Sequence, residues 1–197
     1  MNIIGICGTH GTGKSTILQG IKNQGFKVNE AQISRAVQKT LGWETLGEAE
    51  KSVQNMWDLQ EAILATMYDR DHTILKSDRL TAVERTPADV WAYTEMWCTY
   101  HGIDVKRDAQ AVNFKARCRS MAEKYSKYVI VQPHDTVLFA PDPNRATLMS
   151  RKFVELAIAR FIEGGGYSSY VMRSPDRKER VTEMMAQMII EKARLGL

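Results

Sequence analysis

The sequence predicts an α/β fold with a central, mainly parallel sheet flanked by helices, and three observations carry that prediction. Short apolar runs alternate along the chain with longer stretches whose apolar residues recur at helical spacing. The first run, Asn2 to Cys7, is continuously apolar after Asn2, as expected of a strand covered on both faces. It leads straight into a glycine-rich loop that opens a helix, the order strand, loop, helix. At 197 residues the chain fits a single domain, 1–197, with one core.

The elements follow in order. The helix that starts at Lys14 carries Ile17, Leu18 and Ile21 on one face, and Gln24-Gly25 stops it. Phe26 to Glu30 is a short second strand whose carboxyl end is Glu30, placed beside the first strand. From Leu46 to Arg70 the residues Ala49, Val53, Met56, Leu59, Ile63 and Met67 mark one long amphipathic helix. Two strand candidates come next, His72 to Lys76 and Leu80 to Val83, of which the second is favoured for the core. Thr86 as N-cap, Pro87 at the first helical position and Asp89 three residues after the cap start a helix through Tyr93 and Trp97. A helix over Asp108 to Lys127 and a strand over Tyr128 to Gln132 precede a polar, proline-rich loop from Pro133 to Asn144. Leu148 to Ile162 is helical and Gly164-Gly165-Gly166 ends it. Tyr167 to Met172 is the last strand, and Ser174-Pro175-Asp176 opens the C-terminal helix.

Composition bounds the function. With 44% apolar and 25% charged residues the chain reads as a soluble globular protein, and no apolar run reaches the roughly 18–20 residues needed to cross a bilayer. The N-terminal apolar stretch lacks a basic leader and a cleavage site, so it reads as a strand and not a signal, and a cytoplasmic location is expected. Cys7, Cys98 and Cys118 lack paired metal-type spacing and read as reduced thiols without chemistry. A net charge of +4 favours anionic substrates but falls short of a dedicated nucleic-acid binder.

The strongest motif is Gly8-Thr9-His10-Gly11-Thr12-Gly13-Lys14-Ser15, a complete match to G-x-x-x-x-G-K-[ST] between a strand and a helix. It predicts a P-loop NTPase fold. Backbone N–H groups of residues 9 to 15 and the helix N-terminus can cradle a β-phosphate, with Lys14 neutralising β/γ charge and Ser15 ligating Mg²⁺. Thr16 completes the nucleotide-binding set, and His10 sits where the pattern accepts any residue. ATP and Mg²⁺ are the implied cofactors. No Asn-Lys-x-Asp or Asp-x-x-Gly string of a GTPase occurs, and an AAA-type motor would need a strand ending Asp-Glu and a further helical domain. A small kinase is the reading that survives.

On the P-loop, the Glu30 to Arg35 segment, Glu84-Arg85-Thr86-Pro87-Ala88-Asp89 with Tyr93, and the Asp142 to Arg151 segment, the sequence resembles P-loop kinases of nucleosides and nucleotides. It is most similar to the ribosylnicotinamide-kinase-like AAA-type ATPases common in bacteria and bacteriophages, which would place a phage-encoded member in the host cytoplasm. The resemblance implies that Glu30 is the base towards an acceptor hydroxyl. It implies too that Glu84 helps hold Mg²⁺ while Arg85 engages the acceptor or the phosphates, although the chain has Glu where relatives often have Asp. Small kinases fold an arginine-bearing lid over the moving phosphate, so 133–151 is the lid segment, with Arg145 and Arg151 as its candidate arginines. Thr86, Pro87 and Asp89 also read simply as a helix start, and Glu30 as a partner of Arg35.

On the acceptor side, Gln60 resembles the amide that reads a base in deoxynucleoside kinases, and Arg35 is a candidate for an acceptor phosphate. Asp89 and Tyr93 are counted with this substrate-binding set. Trp57, Trp91, Tyr93 and Trp97 are stacking candidates, although aromatics at helical spacing also serve as core. Lys106, Arg107, Lys115, Arg117, Arg119, Lys124 and Lys127 concentrate charge on one helix, which reads either as a solvated face or as a contact for DNA flanking the acceptor. Three functions therefore stand: phosphoryl transfer to a nucleoside, nucleotide or nucleobase hydroxyl; the same transfer to a hydroxymethylated pyrimidine (5-hydroxymethyluracil type) within phage DNA, a DNA modification; and a regulatory ATP-binding module. A homodimer is compatible with each.

Overall fold

The computed structural model describes residues 1–30, 32–133 and 148–197, the side chains of Leu148 and Met149 excepted. Its strands are β1 (Ile3–Cys7), β2 (Lys27–Asn29), β3 (Thr81–Glu84), β4 (Lys127–Val131) and β5 (Ser169–Met172). They form one sheet in the order β2-β3-β1-β4-β5, every pair parallel. The expected sheet is present, with one correction: β3 lies between β2 and β1, so the strand ending before Glu30 is not the neighbour of the phosphate-loop strand. Among the described residues seven α-helices pack around the sheet: α1 (Lys14–Asn23), α2 (Ile33–Thr40), α3 (Val53–Leu75), α4 (Pro87–Tyr100), α5 (Ala109–Ala122), α6 (Leu148–Glu163) and α7 (Arg177–Leu195).

Two cores result from the period-2 alternation of strand side chains. In β1, Ile4 and Ile6 face α1 and α7 with Leu18, Ile21, Met184 and Met188. Ile3 and Cys7 face the other side, where Trp57, Ile63, Trp91, Phe114, Ile158 and Phe161 fill the space under α3 to α6. The inner strand β1 is buried throughout and β4 nearly so, which is why both read as apolar runs, whereas the edge strands β2 and β5 are only partly covered.

Several boundaries differ from expectation for local reasons. The single helix expected over Leu46 to Arg70 is a 3-10 turn at Leu46–Glu50 and a separate α3, because the Ser52 hydroxyl accepts from the Asn55 N–H at 3.0 Å and caps a new helix. α3 then continues to Leu75 and absorbs the strand candidate at His72 to Lys76, since Ile74 extends its buried face. α5 ends at Ala122 and Lys127 is the first residue of β4, paired with Ile4. α2 has no counterpart in the sequence reading.

At the end of β1 the backbone of Gly8 has φ 144°, and a Cβ there would lie 2.6 Å from the Val131 carbonyl oxygen. We expect Gly8→Ala to lower stability by about 1–3 kcal/mol, measured by urea unfolding, because it adds backbone strain to a clash with a fixed carbonyl.

Candidate active site

The phosphate loop spans the gap between β1 and α1, at the carboxyl edge of the sheet where parallel α/β folds bind ligands. Gly13 adopts φ 90°, a left-handed cap that turns the chain into α1 and leaves the helix N-terminus open. Lys14 is buried and donates to the carbonyls of Gly8 at 2.7 Å and Thr9 at 2.8 Å. Desolvation pulls its pKa below the ordinary lysine value, and the carboxylates of Asp89 and Glu84 oppose that shift. Thr9 Oγ1 is buried without a hydrogen-bond partner, an unused polar atom inside the loop. From α7, Arg180 donates to Thr12 O at 2.7 Å, to Gln132 O at 3.0 Å and to Ser174 O, tying the loop to the ends of β4 and β5.

Under the loop, Thr86 and Asp89 form the expected capping box. Asp89 goes further: one oxygen accepts from Thr86 N at 2.7 Å and Thr86 Oγ1 at 2.8 Å, and the other accepts from Gly8 N at 3.0 Å. Asp89 was expected on the substrate side. The structure places it beneath the phosphate loop, 1% exposed, with both oxygens committed to the protein.

Glu84 and Arg85 leave the end of β3 in different directions. Glu84 Oε2 accepts from Ser15 Oγ at 2.9 Å, so the acidic residue of the second motif meets the hydroxyl of the first. These are two hard oxygen donors of the kind that bind Mg²⁺. Arg85 has φ 61°, the positive-φ non-glycine residue of the described chain. Its guanidinium lies 5.1 Å from the Tyr93 ring centroid and donates to Ser34 Oγ on α2. The Tyr93 hydroxyl contacts His10 twice, at the backbone N (3.3 Å) and at Nδ1 (2.8 Å). Burial raises the Tyr93 pKa, Arg85 and Arg151 lower it and Asp89 raises it, so these charges share the surroundings of one phenol. Arg151, buried on α6, is thereby placed near the Tyr93 phenol, while Arg145 lies outside the described residues, as does the segment 134–147.

The remaining candidates are more scattered. Glu30 ion-pairs with Lys22 of α1 at 2.6 Å and is level in register with Glu84, one residue beyond the Asn29–Val83 pair. Arg35 is exposed on α2 and donates to Gln32 at 3.3 Å. Gln60 is 2% exposed on α3, and its amide makes no hydrogen bond to another described residue. Trp57 and Trp91 belong to the core, as does half-buried Trp97 at its edge. The basic set does not share one helix, because Lys106 and Arg107 precede α5 and Lys124 and Lys127 follow it, and the three residues on α5 have internal partners. Lys115 covers Trp91 at 4.9 Å, Arg119 covers Phe161 at 5.0 Å, and Arg117 forms a forked pair with Glu61 at 2.7 and 2.8 Å.

Sequence reasoning missed Ser34, Arg180 and a buried trio. Arg70 Nε donates to Asp71 Oδ1 at 2.8 Å, Arg70 Nη2 to Tyr125 Oη at 2.8 Å, and Tyr125 Oη to Asp71 Oδ2 at 2.7 Å. The available signal was a charged pair on the apolar stripe of α3, three and four residues after Met67 and before Ile74.

No helix among the described residues is long and apolar enough to cross a membrane. The chain is similar in structure to deoxyadenosine kinase from M. mycoides with bound dATP, with a TM-score of 0.69 and 13% identity over 94% of this chain and 98% of that one. The same enzyme with bound dCTP gives a TM-score of 0.61 at 14% identity, over 94% and 98% of the two chains. Thymidylate kinase from Ehrlichia chaffeensis gives 0.63 at 11% identity, over 94% and 97%. At these identities the likeness establishes a shared α/β P-loop fold. No curated protein matches the chain. A family model described as an AAA domain matches residues 3–180, from the first residue of β1 into α7, and the chain therefore belongs to the AAA-domain family.

Proposed function

We propose that the protein is an ATP-dependent kinase that transfers the γ-phosphoryl group to a hydroxyl of a nucleoside, nucleotide or nucleobase, within the ribosylnicotinamide-kinase-like group of nucleotide kinases. The observation that carries this reading is the contact between Ser15 Oγ and Glu84 Oε2 at 2.9 Å, with Arg85 beside it. A loop hydroxyl paired with a strand-end acid is the Mg²⁺-holding arrangement of P-loop NTPases in general, and the arginine beside it supplies positive charge of the kind that balances a phosphoryl group in transfer to an acceptor.

Lys14 exchanges its two carbonyl partners for the β- and γ-phosphates, and the N–H groups of the loop and of α1 hold the β-phosphate. Ser15 and Glu84 would hold Mg²⁺, which when bound neutralises phosphate charge. Arg85, one bond from Ser34 and stacked against Tyr93, faces the acceptor side. Glu30 takes the proton of the acceptor hydroxyl as that oxygen bonds to the γ-phosphorus, the bond to the β,γ-bridging oxygen breaks and ADP leaves. Gln60, buried on α3 with an amide that bonds to no other described residue, is the group that reads the acceptor base. Arg151 reaches the transferred phosphate from α6. The neighbours named as deoxyadenosine and thymidylate kinases support a nucleoside or nucleotide acceptor.

The test is transfer of label from γ-labelled ATP with Mg²⁺ into separate pools of nucleosides, nucleoside monophosphates, and DNA with natural or hydroxymethylated bases. We expect label in one of the small-molecule pools. Label in the DNA alone would make the phage-type base modification the activity, and label in none would leave the regulatory reading.

A further inference from the structure

The left-handed backbone at Arg85 costs free energy for a residue with a Cβ, so something must hold it. One side chain bonds to both carbonyls of this turn. Arg70 reaches from α3 and donates from Nη1 to the Glu84 carbonyl at 2.6 Å and from Nη2 to the Arg85 carbonyl at 3.1 Å. The same guanidinium is fixed from behind by Asp71 and Tyr125, which also bond to each other. Its side chain is 5% exposed and that of Asp71 1%, so the fork sits in a dry site where it cannot drift.

We propose that Arg70, braced by Asp71 and Tyr125, is a positioning residue that holds the Glu84–Arg85 backbone in its left-handed turn and thereby aims Glu84 at Ser15 and Arg85 at Ser34. The assignment of work to Glu84 and Arg85 rests on the function proposed above; the clamp itself rests on the bonds just described. Two consecutive carbonyls are gripped by one planar cation. That turn sends consecutive side chains to different partners, Glu84 to α1 and Arg85 to α2. A buried ion pair made only for stability would have no reason to end on these two carbonyls. Lysine cannot replace arginine here, because one ammonium cannot span two carbonyls, a carboxylate and a phenol in a plane.

Arg70→Lys tests the proposal with two readouts. The first is the ratio of ATP dissociation constants without and with Mg²⁺, taken by calorimetry and compared with Glu84→Gln. We expect the ratio to fall about tenfold in Arg70→Lys, towards that of Glu84→Gln, as is usual when a residue supporting a metal ligand is lost. Metal-free ATP affinity should stay within about twofold, since the phosphate loop is untouched. An unchanged ratio, or an equal loss of metal-free affinity, overturns the proposal. The second readout is the crystal structure of Arg70→Lys, which decides the matter even if Mg²⁺ has no effect on wild-type binding, an outcome that would count against the metal role of Glu84 alone. Expected are a residue 85 outside the left-handed region and an open Ser15–Glu84 contact. A left-handed Arg85 with that contact intact overturns the clamp. If Arg70→Lys does not fold, Tyr125→Phe removes only the bracing hydroxyl and is read in the same two ways, with a smaller shift in the same direction.

Discussion

Replacing Lys14 with Met is expected to lower phosphoryl transfer by about a thousandfold and to weaken ATP binding, while leaving the fold intact. The structure separates the two effects. The ammonium is buried and donates only to carbonyls of its own loop, and desolvation holds its pKa below the ordinary lysine value. A lysine whose folded pKa lies below its unfolded one opposes folding at every pH where it is charged, and it ceases to do so as the pH rises through both values. At neutral pH its removal therefore relieves a cost, set against the loss of two hydrogen bonds. The methionine keeps the apolar stem. We expect the thermal midpoint to stay within about 4 °C of wild type, roughly the effect of 1 kcal/mol in a chain of this size. Calorimetry with ATP, label transfer and a thermal scan check the three parts. Wild-type transfer would remove the loop from its phosphate role, and an unfolded variant would make Lys14 a structural residue.

That contrast between chemistry and folding also explains what was legible in the sequence. The phosphate loop, the core strands β1, β3 and β4 and the capping box at Thr86 are local: each is written in a few consecutive residues that dictate their own backbone. The order of the strands is not local. Glu30 was placed beside the phosphate-loop strand, yet β3, more than fifty residues later in the chain, inserts between β2 and β1. Long-range partners were equally hidden. Asp89 reads as the acid three residues after the Thr86 cap, and it does close that capping box, but its second oxygen holds Gly8, 81 residues away. Arg70 reads only as the last residue of the long helix, and the carbonyls of Glu84 and Arg85 that it grips lie 14 and 15 residues further along the chain. The split between the turn at Leu46–Glu50 and α3 was decided by one hydroxyl, Ser52, against a periodicity that runs through it. Arg145, one of the two candidate lid arginines, lies outside the described residues, and Arg151 is the candidate within them.

Glu30→Gln is expected to abolish most transfer, by a factor of about 10² to 10⁴, while ATP binds as in wild type. The alternative reading of Glu30, a pair with Arg35, does not hold, since its carboxylate pairs with Lys22 at 2.6 Å and Arg35 donates to Gln32. Both side chains are partly solvent-exposed, 35% for Glu30 and 51% for Lys22, and exposed pairs contribute roughly 0–1 kcal/mol. Losing such a pair cannot lower a rate a hundredfold, which corresponds to about 2.7 kcal/mol. Register favours the base. Glu30 is level with Glu84 on the adjacent strand, about 4.8 Å away in a parallel sheet, and Val28 and Ala82 show that the two residues share a face. A carboxylate there stands next to the residue that already touches Ser15. Lys22→Ala provides the control, because it breaks the same ion pair and leaves the carboxylate in place. Turnover within about threefold of wild type for Lys22→Ala, with a loss of two or more orders of magnitude for Glu30→Gln, identifies the base. Equal, small losses in both would reduce Glu30 to a surface partner of Lys22, and the proton acceptor would then have to be sought at Glu84, whose carboxylate is the next one along the carboxyl edge of the sheet.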